Sequence, residues 1–133
     1  MGVILDSSEI IALERNRGVV ESLVAGREDE PFGISVVTVA ELLHGVERAD
    51  TEARKIRRQA FVEKVIELIP VLPFDMGAAR IYAKIWASIV QRSFTVGAHD
   101  LIIAATAISM DYTVITSNRR DFEKIEGLRL EVR

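Results

Sequence analysis

The chain has 133 residues, 49% of them apolar and 28% charged, the length of one domain and a composition that excludes a disordered or fibrous protein. It has no cysteine, which removes disulfides, thiolate nucleophiles, zinc ribbons and iron–sulfur clusters together, and its two histidines, His44 and His99, are too few for a three-histidine metal site. Seventeen Lys and Arg against twenty Asp and Glu give a net charge of −3, so bulk charge does not announce a nucleic-acid binder and any such role needs a local patch.

The opening Met1-Gly2-Val3-Ile4-Leu5-Asp6 has no basic segment, and a carboxylate ends its apolar run. Asp6 also stands where a myristoylation signal wants Ser or Thr. The longest membrane-like stretch, Leu101 to Met110, falls well short of the roughly 20 residues that span a bilayer. The expectation is a cytoplasmic protein with no membrane partner.

Val3-Ile4-Leu5 reads as a strand stopped by Asp6, followed by a polar cap and a helix through Ile10, Ile11 and Leu13. Val19 to Val24 reads as a second short helix, and Arg27 to Gly33 as a charged loop. Ile34 to Val37 is β-rich. Thr38-Val39-Ala40-Glu41 has the capping-box pattern, with Leu42, Leu43 and Val46 following at helical spacing. A helix is expected from about Thr51 to Leu68, its apolar members Ile56, Ala60, Val62, Val65, Ile66 and Ile69 alternating with basic residues. Pro70 to Pro73 marks a short extended crossing, and Asp75 caps a long helix through Ile81, Ile85, Ile89 and Val90. After a loop from Arg92 to Gly97, His99-Asp100 opens a helix apolar almost all round, the mark of one buried in the middle of a fold. Thr113 to Thr116 is a further parallel strand, Ser117 to Lys124 a polar turn or short helix, and Leu128 to Val132 a closing edge strand. Alternating β and α with continuously apolar strands predicts a three-layer α/β/α sandwich around a mainly parallel sheet of four or five strands, in a single domain over 1–133.

Open parallel sheets bind ligands at the carboxyl ends of their strands. Asp6, Thr116, Ser117 and Asn118 follow strands directly; Glu41 and Asp121 lie one turn further on, and Asp100 opens the buried helix. Carboxylates gathered on one edge repel, and the natural counter-charge is a hard divalent ion, Mg²⁺ or Mn²⁺, which engages phosphate and suits phosphodiester hydrolysis. Each acid also has a structural reading. Asp6 with Glu9 suits a helix cap, Glu41 completes the box with Thr38, and Asp121 pairs with Arg119 or Arg120. Asp100 resists such a reading, because an unpaired carboxylate at the head of so apolar a helix is costly. His44 and His99 are read as bystanders, His99 pointing to another face than Asp100. The helix from Thr51 to Leu68 is either a solvated face or a stripe of RNA contacts, with Arg54 and Arg58 its candidates and Arg80, Lys84 and Arg92 a candidate extension.

Five stretches in order carry a resemblance over essentially the whole chain: Ile4 to Ser8, Ser35 to Leu42, Val96 to Ala105, Val114 to Asn118, and Asp121-Phe122 leading to Gly127-Leu128. The pattern resembles the PIN-domain ribonucleases, specifically the VapC-type toxins of VapBC toxin–antitoxin pairs. The resemblance implies a Mg²⁺- or Mn²⁺-dependent endoribonuclease in which a metal-activated water cuts RNA. It casts Asp6, Glu41 and Asp100 as metal-binding acids, with Asp121 or Asn118 in the fourth position. Thr116 and Ser117 are cast as positioning a water or phosphate oxygen, and Ser7 and Ser8 as donors for an anion. It further implies a VapB-type antitoxin as partner and a homodimer or higher hetero-oligomer, with Ile81, Tyr82, Ile85, Trp86 and Ile89 in the oligomeric surface. The alternative is a catalytically inactive PIN-like scaffold that binds RNA or protein, which Asn118 keeps open.

Overall fold

In the computed structural model, which describes residues 2–133, five strands form one all-parallel sheet in the order β3-β2-β1-β4-β5. These are β1 (Val3–Leu5), β2 (Phe32–Ser35), β3 (Val71–Leu72), β4 (Thr113–Thr116) and β5 (Arg129–Val132). Six helices connect them: α1 (Ser7–Arg15), α2 (Val36–Glu47), α3 (Glu52–Leu68), α4 (Met76–Gln91), α5 (Ala98–Met110) and α6 (Arg119–Phe122). A single 3-10 turn at Val20–Val24 follows α1.

Successive strand residues point to opposite faces, and the buried side chains divide accordingly. Val3, Leu5, Ile34 and Ile115 pack with Ile10, Leu23, Leu42, Val46, Val62 and Val65 beneath α1, α2 and α3. Ile4 and Val114 pack on the other face with Ile85, Ile89, Leu101, Ile103, Ala104 and Phe122 of α4, α5 and α6. This is the expected three-layer sandwich. Helix α5 is its densest member, with a run from Ile103 to Ala107 buried. Among the described residues no helix is long and apolar enough to cross a membrane.

The structure corrects several local readings. Gly33 lies in β2, opposite Ile4, and not in a loop. A Cβ there would come within 2.8 Å of the Leu72 side chain and 2.9 Å of the Pro70 carbonyl, so the strand needs glycine where β3 closes on it. Val36 and Val37 begin α2 and do not continue the strand. Ser35 caps that helix, its hydroxyl accepting from the Val37 N–H at 3.1 Å. There is therefore no capping box: Thr38 sits inside the first turn, fully buried, with its hydroxyl unpartnered. The Asp75 cap forms as expected, accepting from the Ala78 N–H, and Thr51 stands just before α3 as its cap, accepting from the Arg54 N–H. Ile56 is exposed, because α3 turns Val62, Val65 and Ile69 to the sheet. On α4, Ile85 and Ile89 are core, so they form no part of an oligomeric surface. Trp86, of the same expected set, is exposed, and so is Val90, which was not in it. Arg80 and Lys84 also belong to α4, across the sheet from α3, and so extend no stripe begun on α3.

Candidate active site

The strand order reverses at β1, whose neighbours β2 and β4 are reached in opposite directions, and such switch points open a crevice at the carboxyl ends. Register does the rest. Leu5 pairs with Ile115, and the Asp6 N–H donates to the Ile115 carbonyl at 2.9 Å. That pairing sets Asp6 beside Thr116, 110 positions away, and the Thr116 hydroxyl donates to Asp6 Oδ2 at 2.8 Å. The Ser8 hydroxyl donates to the same oxygen at 2.8 Å. Asp6 occupies the N-cap position of α1 without capping it; its oxygens serve the crevice. Glu9, its would-be box partner, is buried with Oε1 unpartnered.

Because α2 starts at Val36, Glu41 falls in its second turn and returns over the crevice. It accepts from the Ser7 hydroxyl at 3.3 Å and lies 3.6 Å from His99 Nδ1. His99 was expected to point elsewhere. It meets Glu41 because the head of α5 packs against α2, and nothing in the linear pattern carries that contact. Burial pushes the Glu41 carboxyl above its ordinary range, His99 opposes this, and Asp6 adds to it. Asp100, one residue after His99, is pushed up to about 6. Burial is the main cause, followed by the charges of Asp6, Asp121 and Glu41, and by a carboxyl–carboxyl hydrogen bond with Asp121. Four acids from four segments thus act on one another.

Asp121 stands in this cluster, with Lys124 Nζ 3.4 Å from its Oδ1. Asn118 is exposed, and its side chain makes no hydrogen bond to the acids; its backbone N–H donates to the Thr116 hydroxyl at 2.9 Å. Thr116 is wholly buried and committed to Asp6, so it positions that carboxylate and does not meet water or phosphate. The Ser117 N–H donates to the Ser8 hydroxyl at 3.2 Å, locking the β4 end onto α1. Neither Arg54 nor Arg58 pairs with the acids. Arg54 pairs with Asp50 at 2.7 Å, and Arg58 donates to the Gly45 carbonyl at 2.9 Å. His44 lines the cleft beside Glu41.

Among the described residues no Lys or Arg comes within 4.0 Å of Asp6, Glu41 or Asp100. The donors are oxygens throughout, and at Asp100 burial and the neighbouring carboxylates together raise the affinity for a proton, a positive charge that a divalent ion could also supply. No three acid or imidazole side chains among the described residues close tightly enough to hold an ion on their own. A full protein cage is thereby disfavoured, and an ion held here would need its own waters beside one or two of these carboxylates.

Fold and crevice together define an α/β/α protein whose acids converge at the strand ends. The PIN domain family matches residues 3–128. Ribonuclease VapC1 of Rickettsia felis is 39% identical over 133 residues, covering 98% of this chain and 95% of that protein. A chain of the DNA-bound VapBC structure from Salmonella typhimurium superposes with a TM-score of 0.88 at 30% identity, over 99% of this chain and 98% of that one. A chain of VapBC-5 from Mycobacterium tuberculosis, described as a member of the VapBC family of toxin-antitoxin systems, gives 0.77 at 33% identity, over 98% and 96%. The chain belongs to the PIN-domain family.

Proposed function

We propose that this protein is a VapC-type toxin, an endoribonuclease that hydrolyses RNA phosphodiester bonds with Mg²⁺ or Mn²⁺ and is restrained by a VapB-type antitoxin. The observation that carries the reading is the meeting of Asp6, Glu41, Asp100 and Asp121 in one crevice, in a chain similar over nearly its whole length to Ribonuclease VapC1. Asp6, Asp100 and Glu41 are the oxygen donors that would hold the ion and its waters, one or two of them directly and the rest through water, with Asp121 closer to the acids' interplay than Asn118. A bound divalent ion supplies charge neutralisation and Lewis-acid activation of water at the phosphodiester.

The chain's own groups divide the remaining work. The Ser8 and Thr116 hydroxyls fix Asp6 in one rotamer, so the most buried acid is also the most rigid. Ser7 and His99 hold Glu41 from two sides. Burial first, then the charges of Asp6, Asp121 and Glu41, push Asp100 up to about 6, which makes it the acid of the crevice that takes up a proton as pH falls below neutrality. The test is cleavage of a mixed RNA substrate in Mn²⁺ and in EDTA, by the parent chain and by Asp6→Asn and Asp100→Asn. Cleavage in Mn²⁺ by the parent alone is expected. Equal cleavage by all three chains overturns the reading, and a parent that binds RNA without cutting it favours the inactive scaffold.

A further inference from the structure

We infer that a second cleft, between the end of α1 and the outer face of α3, is a single-stranded RNA subsite that carries the strand away from the acids. The inference rests on the ribonuclease reading and deepens it. Arg54, Arg57, Arg58 and Phe61 recur at i, i+3, i+4 and i+7, which puts them on one helical face spanning about 10 Å. With Glu14 and Arg17 they line a cleft of about 500 Å³. Four guanidinium groups against one carboxylate make it cationic in a chain whose net charge is −3. Among the described residues neither Arg17 nor Arg57 has a carboxylate within 4.0 Å. Arg54 is held only by Asp50, an exposed pair that water and salt screen, so it is free to exchange partners.

Two features favour a nucleic-acid strand over an acidic peptide. The first is Phe61, a half-buried ring that packs on the core and also lines the cleft with the arginines; an aromatic ring beside cations suits a stacked base with flanking phosphates. The second is continuity. Glu14 and Arg58 also line the neighbouring cleft, which contains Glu41 and His99, so one groove runs from the acids to Phe61.

The test is binding of a labelled single-stranded RNA of about 12 nucleotides to the full chain in EDTA, over roughly 50–250 mM salt. Arg17 has a positive φ of 52°, so it is changed to Asn, which tolerates that backbone, and Arg57 to Gln. The double variant Arg17→Asn/Arg57→Gln is expected to bind about tenfold more weakly near 0.15 M salt and to flatten the salt slope by about 1.4. Phe61→Leu should weaken binding about fivefold and leave the slope alone. If that variant melts early, the exposed arginine pair decides. Arg80→Gln/Lys84→Gln, across the sheet, should bind as the parent does. Parental affinity and slope in the arginine variant overturn the subsite, as does a parent that binds no RNA. Loss of hexaglutamate binding with RNA binding intact makes the groove a peptide site and also overturns it. If the parent binds as expected but does not cleave in Mn²⁺, the nuclease reading falls and the groove stands. If the parent cleaves and the arginine variant binds and cuts equally well, the groove falls alone.

Discussion

At the end of β1, Asp6 is 4% exposed and accepts hydrogen bonds from two hydroxyls. At the head of α5, Asp100 is more accessible and receives none from a hydroxyl or a backbone N–H, and it has the raised proton affinity. The two carboxylates share one crevice. Their difference lies in the donors around them: two hydroxyls face Asp6, whereas Asp100 meets burial first and its neighbours' charges second with no hydroxyl or backbone N–H to offset them. One end of the site is rigid and satisfied, the other poised and unsatisfied.

The sharpest way to break this comparison is to neutralise each acid in turn. Asp6→Asn and Asp100→Asn should both lower RNA cleavage by about 10²-fold or more, in single-turnover assays. Their metal-free melting temperatures at pH 7.5 should move in opposite directions. Asp6→Asn faces the Ser8 and Thr116 hydroxyls with an amide and falls, whereas Asp100→Asn removes a repelled charge and rises. A shared direction would mean that the two environments are not distinct.

Next in size is Thr116→Val, nearly isosteric. It strips a donor from buried Asp6 and an acceptor from the Asn118 N–H, and should cost about 1–3 kcal/mol in urea unfolding. A loss below about 0.5 kcal/mol would deny the corner its role.

A smaller effect is expected from pH. The folded-state pKa of Asp100 lies above its ordinary 3.8, at about 6. The folded chain therefore binds this proton more tightly than the unfolded chain does. The resulting stabilisation is full below pH 3.8 and is lost as pH rises through about 6. Against the parent, Asp100→Asn should lose that component of the profile, and Mn²⁺ should raise the parent's melting temperature more at pH 7.5 than at pH 5. A metal effect independent of pH would separate the ion from Asp100. Smallest of all, Asn118→Ala should change cleavage by less than about threefold, while Asp121→Asn costs about tenfold. The reverse order would return the fourth position to Asn118.

Much of this site was legible because the fold rule is strong. Short apolar strands ending in Asp6 and Thr116 place those residues on one edge whatever the tertiary detail. The register that joins them was not legible, since a pairing between positions 110 residues apart leaves no local trace. The start of α2 was misjudged for a physical reason. Val36 and Val37 have β-branched side chains and favour strands by propensity, but the Ser35 cap outweighs that preference. Gly33 looked like loop punctuation, and its real cause, the side chain of Leu72, lies 39 positions away. His99 was missed because adjacency in sequence says nothing about α2 arriving above it. The basic helix was half legible: its periodicity was visible, while the separation of α3 from α4 by the sheet was not.

The margins of the sheet have a consequence for how this protein meets its own copies. One border, β3, is only two residues long, and the other, β5, carries Arg129 and Glu131, tied to Asp111 and Arg27. A stub and a charged, cross-linked rim offer no template on which another chain can extend the β-structure. Growth by strand addition, the route to fibres, is blunted at both borders.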